Sequence, residues 1–171
     1  LCPGSTAELK QMLVWAIDAQ GPIAIRYPRG VDRGFEDNCW PDLVKTHTDG
    51  ESVAIITYGT MLSNALDAAA QLDECGVKAK VVRLLQVAPL PLDELVHQLG
   101  DVRHVVVLEE VQQGSGIGQQ LAYLLKDRSI TCLDLGADFV THGKLHELYR
   151  ERGLDGSSLK NTILEVLRNE N

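Results

Sequence analysis

From residue 51 onward the chain alternates between two hydrophobic patterns, and the alternation narrows the folds open to it. Val53-Ala-Ile-Ile-Thr57 is a short apolar run of the kind found in strands buried on both faces. Tyr58-Gly59-Thr60 then turns the chain, with Thr60 placed to cap a helix. Leu62, Ala65, Leu66, Ala69 and Leu72 follow at helical spacing and stop at Gly76, a residue suited to the left-handed position after a helix. The same alternation recurs. Strand patterns lie at Ala79 to Leu85, His104 to Leu108 and Ile130 to Leu135. Helical patterns lie at Asp93 to Leu99, Ile117 to Lys126 and Lys144 to Arg152. A last helix carries Leu159, Ile163, Leu164 and Leu167, with Ser157 or Ser158 as its cap. Strands alternating with helices predict an α/β fold, a mainly parallel sheet covered by helices on both faces. No internal repeat or low-complexity tract interrupts it.

The first thirty residues read differently. Ser5-Thr6-Ala7-Glu8 is a capping-box pattern. Leu9, Met12, Leu13, Ala16 and Ile17 continue it at helical spacing, and Gly21-Pro22 reverses the chain into Ile23-Ala24-Ile25, a short buried-strand pattern. One helix and one strand cannot bury their apolar faces alone, so residues 1–30 read as the tail of another domain. Residues 31–50 are polar and aperiodic and are expected to link the two units, with Trp40 packing the linker onto one of them. The first residues carry no basic n-region or apolar core of a signal peptide, and the chain begins without Met, which predicts a piece of a longer protein.

Charge and cysteine content exclude some functions. With 24 acidic against 16 basic residues the net charge is −8, so a nucleic-acid partner is disfavoured and any anion site must be local. No apolar run is long enough to cross a bilayer, so no membrane partner is expected. Cys2, Cys39, Cys75 and Cys132 are scattered without metal or redox spacing and read as reduced thiols of a cytoplasmic protein.

Several motifs suggest chemistry. Gly114-Ser-Gly-Ile-Gly118 between a strand and a helix, with Asp134 near the end of the next strand, resembles a dinucleotide loop. The spacing fails in both frames, because Gln119 and Leu121 stand where a glycine or alanine is required, and a tight turn with close helix packing explains the glycines. Glu109 and Glu110 point to opposite sides of a strand and cannot share one substrate. The expectation is one inward carboxylate bonding the loop and one in solvent. His142 and His146 stand four apart, but Gly143 lies between them and no third ligand is evident, so they read as helix-start and surface residues. A helix N-terminus at Tyr58-Gly59-Thr60 can hold an anion, though most such turns simply connect. No catalytic residues, cofactor-binding residues or metal ligands are assigned within the chain.

Gly21-Pro-Ile-Ala-Ile-Arg-Tyr-Pro-Arg-Gly30 carries a sharper signal. It places Arg26, Tyr27 and Arg29 at a strand end, on a backbone that Pro28 stiffens. Strand ends of α/β proteins are where ligands bind, and the guanidinium fork suits phosphate or carboxylate; ordinary ion pairing is the alternative.

The Arg-Tyr-Pro-Arg-Gly motif resembles one near the end of the middle domain of the 1-deoxy-D-xylulose-5-phosphate synthases, thiamine-diphosphate-dependent relatives of transketolase. The resemblance continues in order through Val53 to Thr60, Val81 to Leu92, Val107 to Glu110 with Gly114 to Gly118, Asp134 to Gly143 and Gly153 to Gly156. Leu85 to Pro91 departs from it, lacking the basic and aromatic residues of an Arg-Phe-Val-Lys-Pro-Leu-Asp stretch. The resemblance implies a three-layer, Rossmann-like transketolase C-terminal domain over residues 51–171. A helix-strand remnant of the pyrimidine-binding middle domain precedes it over residues 1–30, with a linker over 31–50. It implies that Arg29 binds the phosphate of the sugar-phosphate substrate, with Arg26 and Tyr27 in support. It further implies a parent homodimer using thiamine diphosphate and Mg2+ to condense pyruvate with glyceraldehyde 3-phosphate, and a chain inactive by itself and binding neither cofactor alone. The alternatives are the same domain in a 2-oxo-acid dehydrogenase β subunit, or a non-catalytic Rossmann-like interaction module.

Overall fold

The computed structural model describes residues 1–28 and 39–169. Its centre is a five-stranded sheet of β1 (Val44–Thr48), β2 (Val53–Tyr58), β3 (Ala79–Leu84), β4 (His104–Leu108) and β5 (Ser129–Leu133), in the spatial order β1-β3-β2-β4-β5. β2 pairs in parallel with β3 and with β4, and β4 with β5. β1 pairs antiparallel with β3 at the edge, Val44 opposite Leu84. All six residues of β2 are buried, as expected of a strand with neighbours on both sides and helices on both faces.

Alternate residues of the strands feed two cores. On one face Val53, Ile55, Val81, Val106 and Leu108 pack beneath α2 (Leu62–Glu74) and α6 (Gly156–Asn169), with Tyr149 of α5 (Leu145–Glu151). On the other, Ala54, Ile56, Val82, Leu84, Val105 and Val107 pack beneath α3 (Leu92–Leu99) and α4 (Gly118–Leu124). The three-layer α/β architecture follows from these two cores.

A third, smaller core joins the front of the chain to the sheet. Met12 of α1 (Thr6–Asp18), Cys39 and Leu85 are buried together, with Leu1, Ile25 and Trp40 against them. Trp15 and Trp40 meet edge to face at 5.3 Å between ring centroids. The rest of the apolar face of α1 is uncovered, with Leu13, Val14, Trp15 and Ile17 between 45% and 83% exposed.

Several local expectations need correcting. The supposed linker contains β1, whose Val-Lys-Thr-His-Thr sequence is too polar to announce a strand and buries only Val44 fully. Ile23-Ala24-Ile25 is neither laddered into the sheet nor buried. Leu1 lies beside it, its amino group donating to the Ala24 carbonyl at 2.7 Å and its carbonyl accepting from Arg26 N–H at 2.8 Å. Thr60 does not cap α2; a single 3-10 turn, Gly59–Met61, leads into that helix instead. The cap of α6 is Asp155, whose Oδ1 accepts from the N–H groups of Ser157 and Ser158 while Oδ2 accepts from Ser158 Oγ. The capping box of α1 is half formed. Glu8 N–H donates to Ser5 Oγ, but the Glu8 carboxylate reaches past Ser5 to the N–H of Gly4 and beyond.

Candidate functional site

β2 leads through α2 to β3 on one side, and β3 then leads through α3 across to β4 on the other. The chain thus changes winding direction between β2 and β4. In open α/β sheets the crevice at the carboxyl ends of such a strand pair is the usual ligand position. Here the chain's own front segment fills part of it. Arg26 Nη2 donates to the carbonyl of Glu110, just past β4, at 2.8 Å. Its guanidinium carbon lies 5.8 Å from the ring centroid of Tyr58, the last residue of β2.

Beneath Arg26 lies a buried carboxylate. Glu109, 3% exposed, accepts from Tyr58 Oη, from Ile117 N–H and from Gly118 N–H, each at 2.8 Å. The last two are donors at the start of α4, so a side chain of the protein occupies the place an anion would take at that helix end. The glycines make this possible. A Cβ on Gly116 would run into the Glu109 carboxylate, and one on Gly118 would stand 2.6 Å from Cys132 Sγ and 2.9 Å from Glu109 Oε1. Burial first, and the adjoining Glu109 carboxylate second, push the Tyr58 phenol above its ordinary value, so it stays protonated as the donor. Burial, then Glu109 and Asp134, likewise raise the Cys132 thiol.

The sequence motifs sort accordingly. Glu109 is the expected inward carboxylate on the loop, whereas Glu110 is half-buried rather than in solvent. The dinucleotide-like loop wraps Glu109, and Asp134 accepts from Gly136 N–H at 2.9 Å in its own turn. His142 precedes α5 and His146 lies within it, both exposed, and His146 faces Glu147 at 3.9 Å. Among the described residues no group of three or more His, Cys, Asp or Glu side chains is placed to hold a metal. Arg26 reaches the crevice; the Tyr27 ring beside it is 60% exposed. Arg29 lies outside the described residues.

One pair escaped the sequence reading. Arg83 of β3 and Glu8 of α1 are both fully buried and paired through Arg83 Nη2 and Glu8 Oε1. Glu8 Oε1 also accepts from Cys39 N–H at 3.0 Å, and Oε2 from Gly4 N–H at 2.8 Å. Arg83 Nε and Nη1 have no partner. The available signal was Arg83 in the middle of the apolar residues Val81, Val82, Leu84 and Leu85, a charge that a buried strand tolerates only with a partner.

Residues 42–159 match the family model described as the transketolase C-terminal domain. The chain belongs to the transketolase C-terminal domain family. Among curated proteins it is 36% identical to the 1-deoxy-D-xylulose-5-phosphate synthase of Chlorobaculum tepidum over 99% of its length, and 34% identical to that of Vibrio cholerae over 98%. It spans 28% of the length of each of these relatives. Among solved structures it is similar in fold to a split-gene transketolase described as an inactive β4 tetramer (TM-score 0.77, 24% identity, 98% of this chain and 57% of that one). The transketolase of Campylobacter jejuni gives a TM-score of 0.73 at 18% identity, over 96% of this chain and 25% of that one. No helix among the described residues is long and apolar enough to cross a membrane.

Proposed function

We propose that this transketolase C-terminal domain belongs to a thiamine-diphosphate enzyme that condenses pyruvate with glyceraldehyde 3-phosphate, releases carbon dioxide and forms 1-deoxy-D-xylulose 5-phosphate. That product serves isoprenoid, thiamine and pyridoxal synthesis. The observation that carries this reading is similarity to synthases of that name across almost the whole chain, opening segment included. On this reading residues 1–30 close the middle, pyrimidine-binding domain. The sheet begins at β1, so the joining segment ends before Val44 rather than at residue 50. The parent is read as a cytoplasmic homodimer.

Thiamine diphosphate with Mg2+ supplies the carbanion chemistry when bound. The described residues do not fit that group. Glu109 already fills the N-terminus of α4, and no metal-ligand cluster stands nearby. The cofactor is therefore assigned to the first and middle domains of the parent, and this chain's part is substrate placement. Arg29 is proposed to bind the substrate phosphate, which holds the aldehyde for attack through a contact remote from the reacting carbon. Arg26 and Tyr27 are proposed to support it. The bonds of Arg26 to Glu110 and Tyr58 support a holding role, with part of its fork already engaged.

The test is Arg29→Ala in the full-length enzyme. The expected outcome is a KM for glyceraldehyde 3-phosphate raised by about tenfold or more, as loss of a charge-assisted contact implies, with the KM for pyruvate unchanged. Unchanged constants for the phosphorylated substrate refute the role. Preference for a 2-oxo-acid and a lipoyl acceptor instead refutes the assigned reaction.

A further inference from the structure

We propose that the carboxyl rim of the sheet is a docking face for the rest of the parent's middle domain, and that Phe139 is its outer anchor, entering an apolar pocket of that domain. The inference rests on the reading that residues 1–30 close the middle domain. The chain spans 28% of the length of its curated relatives, and the proposed occupant lies in the remainder.

The rim is continuous. β2, β3, β4 and β5 run parallel, so their carboxyl ends share one edge. The front segment already crosses three of these ends. Met12 packs on Leu85 just past β3, and Cys2 N–H donates to the Leu85 carbonyl at 2.8 Å. Arg26 reaches Tyr58 at the end of β2 and the Glu110 carbonyl just past β4. The loop after β5 then continues the row. Gln112 Nε2 donates to the Ala137 carbonyl at 3.2 Å and Gln113 N–H to that of Gly136 at 3.0 Å. The segment that receives Arg26 therefore also holds this loop.

Apolar side chains stand uncovered along that row. Trp15 and Ile17 of α1, Tyr27 next to Arg26 and Phe139 past β5 are all exposed. One exposed aromatic ring is ordinary. A row of them, on an edge that another domain's tail already occupies, marks an interaction surface. Phe139 is 89% exposed, yet its backbone is held: Arg152 Nη2 donates to the Phe139 carbonyl at 3.2 Å, and Gln112 holds Ala137 two residues before. A ring carried on a fixed backbone loses little freedom on docking, and buried aromatic rings dominate the energetics of interfaces. Asp138, Thr141 and His142 flank it and are exposed, which supplies a polar margin around the apolar anchor. A second copy of this chain is the poorer occupant, since it brings another net charge of −8 against the first.

The test places p-benzoylphenylalanine at position 139 of the full-length enzyme, irradiates it and maps the linked peptides by mass spectrometry. The expected result is a link to a middle-domain peptide outside the 171 residues. A link to the same region of a second copy, a link to any other domain, or no link overturns the proposal. The same photoreactive residue at position 17 tests the underlying reading. A middle-domain link from 17 with none from 139 overturns the Phe139 anchor alone. A middle-domain link from 139 with none from 17 keeps the anchor and removes the assignment of residues 1–30. Silence at both overturns both. If the variant at 139 does not fold, amide hydrogen exchange of the unsubstituted proteins carries the test. Residues 137–143 are expected to exchange about tenfold or more slowly in the full-length enzyme than in the 171-residue chain, and equal rates overturn the docking.

Discussion

Three donors converge on Glu109, so the residue is expected to matter more for stability than its solitary charge suggests. Glu109→Ala removes the acceptor of Tyr58 Oη and of the N–H groups of Ile117 and Gly118 in a buried site. Each buried orphan costs about 1–3 kcal/mol, so a loss of about 3 kcal/mol or more is expected, read as a lower urea midpoint. An unchanged midpoint contradicts the account. Asp155 gives a pH-dependent case. Burial pushes its carboxyl up, but hydrogen bonds from Ser158 Oγ and from the N–H groups of Ser158 and Ser157 outweigh burial and leave it below its ordinary 3.8. A carboxyl lowered in the folded state stabilises above its unfolded value, and that contribution disappears as pH falls through the folded one. Asp155→Asn is therefore expected to flatten the stability profile below about pH 4, and to leave the profile above pH 5 parallel to the parent's. Strand alternation made one inward carboxylate of the Glu109-Glu110 pair legible, but not which of the two, and the loop glycines read as a tight turn rather than as room for that carboxylate. Arg83 and Glu8 were not: they are 75 residues apart, and Glu8 looked fully explained as the acid of a capping box.

At the scale of elements, α4 and β5 approach each other so closely that Gly118 has no room for a methyl group. Gly118→Ala is expected to cost about 1–3 kcal/mol through overpacking against Cys132 and Glu109. Adding Cys132→Ala should restore part of that loss, because one of the two obstructing atoms is removed; thermal denaturation of the four proteins in the cycle measures the recovery. Independent, additive losses would show that the clash is not the cause. The alternation of apolar runs was enough to locate β2, β3 and β4, because strands buried on both faces leave an uninterrupted signal. β1 was hidden, since an antiparallel edge strand with a single fully buried residue has nearly the composition of a loop. Ile23-Ala24-Ile25 misled in the opposite direction. It has strand composition but joins no ladder among the described strands, and its backbone bonds run to Leu1.

For the molecule as a whole, the third small core joins the opening helix to the sheet and its two cores. Since carbanion chemistry is the cofactor's, and the cofactor is assigned above to other domains of the parent, the 171-residue chain is expected to show no turnover with thiamine diphosphate, Mg2+, pyruvate and glyceraldehyde 3-phosphate. Product detected by mass spectrometry at a rate that scales with chain concentration would overturn that expectation. Fold and family were readable because the motifs run in order through the chain. The link between its front and its sheet was not, since long-range contacts leave no periodic trace in the sequence.

The third core also bears on where this protein can be cut. The family match begins at residue 42, and a truncation placed there looks natural on an alignment. Such a cut removes Cys2, Met12 and Arg26, and so uncovers Leu85 and the outer side of Tyr58 at the mouth of the sheet. The unit the family model spans is shorter than the unit that covers the apolar surface at this end of the sheet. A graft or exchange of this domain between enzymes must carry the first helix along with the strands it serves.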